Sequence, residues 1–354
     1  MIPPLGIIEG FFGRPWSWEE RAAAVRFLRP HGYSFYLYAP KADPWLRRRW
    51  QEPHPAAEME KLAEFRDVCR AEGVRFGIGL TPFELHLHAG RGWQEPLAAK
   101  LASLAALKPD DLAILFDDMR GDVPELAERQ AAIVGFAAER GISGRVFACP
   151  SYYSDDPILD VAFGQRPPFY LEQFGRLLDP AIHLFWTGPE VCAQEFSPGH
   201  LARVAGQLGR KPVLWDNYPV NDGARMSQHL HLRGVSGRPA GIAPHIAAHG
   251  VNPASQPLLS RVPLLTLAES YKAGDDYDYL AAFNRAAREV LGEELAARVG
   301  KDILTLQDRG LDRLGERKAA LKARYAAFEH PAAREIERWL DGYWSVSDEL
   351  VQTQ

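Results

Sequence analysis

Residues 112–118 are Leu-Ala-Ile-Leu-Phe-Asp-Asp, a short apolar run that ends in two adjacent aspartates. The run shows no alternation of apolar and polar residues, which predicts a strand buried on both faces, as in a parallel sheet. Two carboxylates at contact distance push each other's pKa values apart, so one can stay charged while the other holds a proton near neutral pH. Such a pair suits acid/base catalysis. A pair that only caps the following helix, or is simply solvated, is the alternative.

Similar short apolar runs recur at intervals of roughly 30 to 40 residues, with helical patterns between them. They span residues 6–12, 34–39, 75–80, 145–149, 183–186 and 212–215, with a weaker one at 241–246. Together with 112–116 they make eight strand–helix units, which predicts an α/β fold, the TIM (β/α)8 barrel. A doubly wound open sheet is the runner-up, and it is disfavoured because polar and aromatic residues follow nearly every strand.

The helical patterns have recognisable ends. Ser17 and Glu20 form a capping box ahead of an Ala-rich amphipathic run. Further helices are predicted over 58–73 and 124–141, each ending at a glycine.

The chain is predicted to divide into a catalytic barrel, residues 1–268, and a C-terminal helical region, residues 269–354. We expect the last strand to end near residue 250, and the helical pattern to run continuously from about Tyr277 as two to four helices packed on the barrel. This region is expected to affect stability or assembly more than chemistry. A dimerisation surface is the alternative interpretation, and it would make the protein a homodimer.

Charge and cysteine usage exclude several classes of function. The 354 residues carry 41 Lys and Arg against 46 Asp and Glu, a formal net charge of −5. No basic stripe points to nucleic acid, and no apolar stretch approaches the roughly 20 residues that span a membrane. Three widely spaced cysteines suit a reducing compartment, and the first residues do not resemble a signal peptide. We therefore expect a cytoplasmic protein that binds neither nucleic acid nor membrane.

The reactive residues of a TIM barrel lie at the C-terminal ends of its strands. In this chain those positions hold carboxylates, amides, one lysine and many aromatic rings. Rings stack on the apolar face of a sugar while carboxylates and amides bind its hydroxyls, so the set predicts a carbohydrate-active barrel. The sequence has no phosphate-cradling glycine loop, Ser-His-Asp order or His/Cys cluster, and we expect neither a metal nor a cofactor.

Asp117 and Asp118 are the catalytic candidates, but their adjacency conflicts with the usual glycosidase arrangement. That arrangement places two carboxylates on opposite sides of the scissile bond, roughly 5 Å apart for retention. Neighbours at one strand end cannot easily flank a sugar. The conflict disappears if an acetamido group of the substrate is the nucleophile and forms an oxazoline. One Asp then orients the amide N–H, and the other protonates the leaving oxygen.

Five motifs, in order along the chain, resemble those of glycoside hydrolase family 84, the O-GlcNAcases and related β-N-acetylglucosaminidases. They are GIIEGFFGRPW at 6–16, YAPK at 38–41, LFDD at 115–118, FWTGP at 185–189 and LWDN at 214–217. The resemblance implies a retaining exo-β-N-acetylglucosaminidase that acts on a GlcNAc-bearing glycoconjugate, an O-GlcNAc protein among them. The alternatives are a non-catalytic sugar-binding barrel, or a hydrolase or transglycosylase that acts on another N-acetylhexosamine conjugate.

The resemblance also implies residue roles around the acetamido group. Asp117 corresponds to the residue that orients this group, and Asp118 to the general acid that later acts as base. Tyr153 corresponds to a tyrosine of the acetamido pocket. Trp215 corresponds to the wall against the acetyl methyl, and Asn217 to its hydrogen-bonding neighbour.

Four further residues are implied at the sugar hydroxyls. Asp222 corresponds to the carboxylate at the C4 and C6 hydroxyls, and Asn252 to the amide at the C3 and C4 hydroxyls. Gly10 is expected to offer its carbonyl where a side chain would obstruct the sugar, and Lys41 to lie near the hydroxyls.

Two segments depart from the family pattern. Residues 81–87 replace a Ser-Pro-Gly run at one rim of the expected groove, and Pro219-Val220 replaces a more polar pair. Both departures bear on the leaving group that the site accepts. Glu9 and Asp216 are expected to be structural, the first paired inside the barrel and the second turned away from the sugar.

Overall fold

A computed structural model describes residues 2–88 and 92–354. In this part of the chain, eight parallel strands form a closed barrel in sequence order. The strands are β1 Leu5–Glu9, β2 Tyr33–Tyr38, β3 Arg75–Leu80, β4 Asp111–Leu115, β5 Arg145–Cys149, β6 His183–Trp186, β7 Val213–Asp216 and β8 Ala248–Val251. Leu5 in β1 pairs with His249 in β8, which closes the barrel. The TIM barrel prediction is confirmed, and closure excludes the open doubly wound sheet.

The eighth strand was predicted at the wrong residues, although its end near residue 250 is correct. Residues 241–246 overlap a 3₁₀ helix at Ala240–His245, which contains Pro244, and the strand itself begins at Ala248. The strand sequence Ala-His-Gly-Val has one β-branched residue and so gives a weak strand signal. Gly250 is needed because the Ile8 side chain of β1 lies close to its backbone: a Cβ on Gly250 would lie 2.4 Å from Ile8 Cδ1.

Helices surround the barrel and continue beyond it. In the described residues they are α1 Trp18–Leu28, α2 Ala56–Ala71, α3 Gln94–Ala105, α4 Leu126–Glu139, α5 Ile158–Phe163, α6 Tyr170–Leu177, α7 Pro198–Leu208, α8 Arg261–Ala273, α9 Tyr279–Ile303, α10 Arg317–Ala326, α11 Pro331–Leu340 and α12 Asp348–Thr353. The predicted capping box of α1 is confirmed, because Ser17 N donates to Glu20 Oε2 at 2.7 Å and Glu20 N to Ser17 Oγ at 3.2 Å. No helix of the described residues is long and apolar enough to cross a membrane.

The C-terminal helices pack on the loops that follow β7 and β8. Glu335 of α11 accepts hydrogen bonds from Leu258 N at 2.9 Å and Leu259 N at 3.0 Å. Trp339 Nε1, on the same helix, donates to Ser227 O at 3.2 Å. The predicted boundary at residue 268 lies within α8, so one helix joins the two predicted regions.

Buried ion pairs hold β1 and β7 against their neighbours. Glu9, which has no exposed side-chain surface, accepts hydrogen bonds from Arg21 Nε and Nη2 at 2.7 Å each. Asp216 accepts bonds from Arg238 Nη2 at 2.8 Å and lies 3.1 Å from His249 Nε2. Burial raises the pKa of Asp216, but Arg238 and His249 outweigh this effect and hold that pKa well below its usual value. Asp216 is paired away from the cavity, as expected. Glu9 is paired too, but its partner Arg21 lies on α1, so the pair is between the barrel and its helices and the expected place inside the barrel is wrong.

Arg21→Met is expected to destabilise the barrel by roughly 3–5 kcal/mol, because it leaves the Glu9 carboxylate buried without its cation. The measurement is the free energy of unfolding in urea. Arg26→Met is the matched control on the same helix, since Arg26 is exposed, and its effect should stay within about 0.5 kcal/mol. Equal effects of the two substitutions would show that the buried pair does not stabilise the fold.

Candidate active site

The nine residues predicted for the site all line one cavity at the mouth of the barrel. Its volume is about 240 Å³. The nine are Gly10, Lys41, Asp117, Asp118, Tyr153, Trp215, Asn217, Asp222 and Asn252. Closure of the barrel brings together residues far apart in sequence, as with Gly10 and Asn252, which are separated by 242 positions.

The end of β4 turns both aspartates of the pair into this cavity. Phe116 N donates to Cys149 O at 3.0 Å, which extends the pairing with β5 up to the pair. Side chains that follow one another along a strand point to opposite faces. Asp118, however, has a left-handed backbone with φ of 58°, a conformation that aspartate adopts more readily than most residues. This turn ends the alternation, and both carboxylates line the cavity.

Lys41 lies between the two carboxylates. Its ammonium group contacts Asp117 Oδ2 and lies 3.2 Å from Asp118 Oδ2, and its side chain is 3% exposed. Burial raises the pKa of Asp118, but the charges of Lys41 and Arg47 and the hydroxyl of Tyr153 outweigh burial and hold that pKa below its usual value. The sequence predicted a proton held by the pair near neutral pH. In the structure the ammonium group of Lys41 lies against both carboxylates, and the pKa of Asp118 is lowered rather than raised.

One carboxylate oxygen of Asp117 has no hydrogen-bond donor in the described part of the chain. Its Oδ1 atom is buried, and no donor among the described residues lies within hydrogen-bond distance of it. Buried polar atoms are almost always hydrogen-bonded, and leaving one unmet costs about 1–3 kcal/mol. An ionised carboxylate only accepts hydrogen bonds. The cavity therefore presents an acceptor that an N–H or O–H group of a bound molecule can satisfy.

Aromatic rings form part of the cavity wall beside the carboxylates. Tyr153 OH donates to Asp118 Oδ1 at 3.0 Å. Trp215 is 4% exposed and packs edge-on against Phe185, with ring centroids 5.4 Å apart. A Cβ on Gly10 would lie 2.2 Å from Trp215 Cζ2. The glycine is thus required by the packing of the tryptophan, whereas the sequence predicted an obstruction of the sugar itself.

Two amides, Asn217 and Asn252, and a third carboxylate, Asp222, also line the cavity. Asn252 Nδ2 donates to Asn217 Oδ1 at 3.0 Å, and Asn217 Nδ2 donates to Val191 O at 2.8 Å. Asp222 Oδ2 accepts from Phe12 N at 2.8 Å, which ties the loop after β7 to the loop after β1. These contacts fix the orientation of polar groups that can bind hydroxyls.

Residues 5–302 match the sequence model of the beta-N-acetylglucosaminidase family. The chain belongs to this family. Over 279 residues, 76% of the chain, it is 29% identical to the proteins named Protein O-GlcNAcase from Rattus norvegicus and Mus musculus. The aligned part is 30% of those relatives, so the chain spans less than a third of the length of the curated proteins it matches.

One solved structure is similar to almost the whole chain. It is an O-GlcNAc hydrolase mutant from Thermobaculum terrenum, with a TM-score of 0.79 and 27% sequence identity. The match covers 97% of this chain and 81% of that one. The likeness therefore includes the C-terminal helical region as well as the barrel.

Sequence reasoning missed part of the cavity of this β-N-acetylglucosaminidase family member. Cys149 had been expected at the floor of the cavity and lines it. The lining residues that were missed are Phe12, Thr187, Val191, Cys192, Val220, Gly223 and Val351. Phe12 and Thr187 lie within the family motifs at residues 6–16 and 185–189, so the sequence indicated the segments to which they belong. Val351 lies on α12, far outside those motifs, and no sequence pattern pointed to it. The helical region, expected to affect stability or assembly more than chemistry, thus contributes one residue to the lining of the cavity.

Binding of a neutral sugar should depend on the ionisation of Asp222. Burial, together with the negative charge of Asp118, raises the pKa of Asp222 to about 6. A carboxylate accepts hydroxyl hydrogen bonds more strongly than a carboxylic acid does. Affinity for a neutral monosaccharide inhibitor is therefore expected to rise as pH increases through about 6, and Asp222→Asn should weaken binding and flatten this profile.

Isothermal titration calorimetry with a neutral monosaccharide inhibitor, repeated at several pH values between acidic and neutral, measures the change in affinity. A profile in Asp222→Asn that still rises through the same range would assign the titration to another group. The stability contribution has the opposite sign: because the folded-state pKa is raised, ionisation of Asp222 disfavours the folded state as pH rises toward about 6.

Proposed function

We propose that the chain is a retaining exo-β-N-acetylglucosaminidase that removes terminal β-linked GlcNAc by substrate-assisted catalysis. The observation that carries the proposal is the buried Oδ1 of Asp117, which has no donor among residues 2–88 and 92–354 and belongs to a residue that lines the cavity beside Asp118. An acetamido N–H would satisfy this oxygen. The adjacent Asp118 would then lie near the anomeric centre to transfer a proton.

The first half of the reaction makes an oxazoline. The acetamido oxygen attacks the anomeric carbon, the bond to the leaving oxygen breaks, and Asp118 gives its proton to that oxygen. Asp117 accepts the amide N–H and stabilises the positive charge that develops on the new ring. This charge stabilisation is realised in the transition state more than in the bound substrate, which is the condition for raising kcat.

The second half hydrolyses the oxazoline. Asp118, now a carboxylate, takes a proton from a water molecule that attacks the anomeric carbon, and the ring opens to restore the acetamido group. Two inversions at the same carbon retain the β configuration.

The acid role of Asp118 requires that bound substrate raises its pKa. The charges of Lys41 and Arg47 hold that pKa below its usual value. A sugar in the cavity displaces water from the carboxyl group, and desolvation favours its neutral form. The sequence attributed a raised pKa to repulsion between the two aspartates. Under the proposal, the bound sugar raises the pKa of Asp118 instead.

Asp222 and Asn252 support recognition of the gluco configuration. Under the proposal they bind the C4 hydroxyl, which distinguishes GlcNAc from its C4 epimer. The substrate is then a GlcNAc-bearing glycoconjugate, for which an O-GlcNAc protein is the candidate that the relatives' names suggest. The homodimer and the cytoplasmic location stay predictions from the sequence.

Hydrolysis of para-nitrophenyl β-GlcNAc and β-GalNAc glycosides tests this proposal. We expect release of nitrophenol from the gluco substrate at a much higher kcat/KM, with the β anomer of GlcNAc as the first product in a proton NMR time course. Binding of GlcNAc without hydrolysis would instead identify a sugar-binding barrel. Comparable rates on both epimers would indicate an enzyme for another N-acetylhexosamine conjugate.

A further inference from the structure

Residues 81–87, the segment that departs from the family pattern and is named the rim below, contact the loop that carries the aspartate pair. None of these residues is among the described residues that line the catalytic cavity. Instead, Glu84 N donates to Met119 Sδ at 3.2 Å, one residue after the pair. The rim is thus placed to act on the pair through the backbone of its loop, rather than by contact with a bound sugar.

His86 of the rim contacts this loop on both sides of the pair. Its Nε2 atom lies 2.6 Å from Arg120 O, two residues after Asp118. Its ring packs edge-on against Phe116, one residue before Asp117, with ring centroids 5.8 Å apart. The residue is 1% exposed, so water does not compete for these contacts. A single buried side chain therefore connects the two ends of the segment that holds both catalytic candidates.

The hydrogen bond between His86 and Arg120 has only one possible direction. A carbonyl oxygen accepts hydrogen bonds and cannot donate them, so Nε2 of the imidazole carries the hydrogen. Burial lowers the pKa of His86, which favours the neutral ring near pH 7. A neutral imidazole has one N–H group, and here that group is committed to the backbone of the loop. The contacts thus indicate a fixed donor rather than a group that carries protons.

The chain after Asp118 needs such an anchor more than the chain before Asp117 does. The residues before Asp117 pair with β5 as far as Phe116, whose N–H donates to Cys149 O. Asp118 ends this pairing with its left-handed backbone, a conformation that surrounding contacts must hold. Loss of the bond to Arg120 O should therefore displace Asp118 more than Asp117.

We propose that His86 is a positioning residue, whose hydrogen bond to Arg120 O keeps the carboxyl group of Asp118 at the leaving oxygen. The inference rests on the proposed function, which makes Asp118 the general acid, and it adds a residue outside the cavity to that site. Displacement of a catalytic group by about 1 Å costs up to roughly 100-fold in rate. The cost should fall on substrates whose leaving group needs the proton.

Two amide substitutions of His86 test this inference. In His86→Gln the amide nitrogen takes the place of Nε2 and can still donate to Arg120 O, whereas in His86→Asn it takes the place of Nδ1 and falls short. We expect His86→Asn to lower kcat/KM about 10-fold on phenyl β-GlcNAc, but less than about 2-fold on the dinitrophenyl glycoside, whose leaving group departs without a proton. His86→Gln should stay within about 3-fold of the unaltered protein on both substrates.

Further variants and measurements separate positioning from packing. His86→Phe keeps an aromatic ring against Phe116 but has no donor, so it should act like His86→Asn. His88→Phe is the matched control, because His88 is exposed two residues further along the chain, and it should leave both rates unchanged. Affinity for GlcNAc should change less than about 2-fold in every variant, since a positioning defect lowers kcat rather than ground-state binding. In the unaltered protein, nitrogen chemical shifts should show the hydrogen on Nε2 of His86.

The results distinguish this inference from the function on which it rests. Equal losses on the phenyl and dinitrophenyl glycosides would overturn the positioning role, because a general loss of structure affects both substrates alike. It would also be overturned by His86→Gln as impaired as His86→Asn, by unchanged rates in all three variants, or by a hydrogen on Nδ1. Failure of the unaltered protein to hydrolyse phenyl β-GlcNAc would instead overturn the proposed function itself.

Discussion

Asp118→Asn is expected to lower kcat/KM by roughly 10²–10⁴-fold on alkyl glycosides of GlcNAc, whose leaving groups need a proton. An amide cannot serve as the acid, yet it can still accept the hydrogen bond that Tyr153 OH donates at 3.0 Å. On a dinitrophenyl glycoside, whose leaving group departs as a stable anion, the loss at the glycosylation step should be less than about 10-fold. Steady-state rates on the two substrates provide the comparison.

The same comparison can also contradict the assignment of Asp118 as the general acid. Equal losses on alkyl and dinitrophenyl glycosides would show that Asp118 does not protonate the leaving oxygen. Thermal unfolding of the variant controls for folding, because Lys41 keeps its contact with Asp117 when Asp118 becomes neutral.

Asp117→Asn is expected to lower kcat by roughly 10²–10³-fold on both kinds of substrate, since one charged group that stabilises the transition state is lost. The Oδ1 atom of Asp117 has no donor among the described residues, and the proposal assigns the acetamido N–H to it. Without the negative charge, the positive charge on the oxazoline ring is not offset. The leaving group does not enter this step, so its acidity should not alter the loss.

A thiazoline analogue of the oxazoline gives an independent readout for Asp117. It mimics the intermediate, so Asp117→Asn should weaken its binding far more than that of GlcNAc. Asp122→Asn is a matched control and should leave thiazoline binding unchanged. Asp122 lies in the same loop after β4, but it is exposed and pairs with Arg120. Should Asp117→Asn instead affect mainly substrates with poor leaving groups, the two aspartates would have exchanged roles.

The barrel could be predicted from the sequence because its strands are marked locally. Apolar runs such as residues 112–116 and 75–80 lie within one residue of the observed strands. The prediction of the eighth strand failed because Ala248–Val251 contains a glycine and only one β-branched residue, while residues 241–246 contain more apolar residues. Its place is determined by pairing with β1 and β7, which is information that a local pattern does not contain.

The residues at the strand ends could likewise be predicted, because the barrel topology brings strand ends to one mouth. Their electrostatics could not. The low pKa of Asp118 depends on the charges of Lys41 and Arg47, which lie in the segment between β2 and α2. Val351 was missed for a related reason, since a short helix packs there through contacts with Gly13, Arg47 and Arg48 that leave no periodic signal.

The central claim is that the substrate's own acetamido oxygen is the nucleophile. Fluorination of the acetyl group withdraws electron density from this oxygen and weakens its attack, without changing the leaving group. The direct measurement is kcat/KM for para-nitrophenyl glucosaminides that carry acetyl, monofluoroacetyl, difluoroacetyl and trifluoroacetyl groups. We predict a steep fall in that order. A flat series, or a trapped covalent bond between the sugar and an aspartate, would contradict substrate assistance.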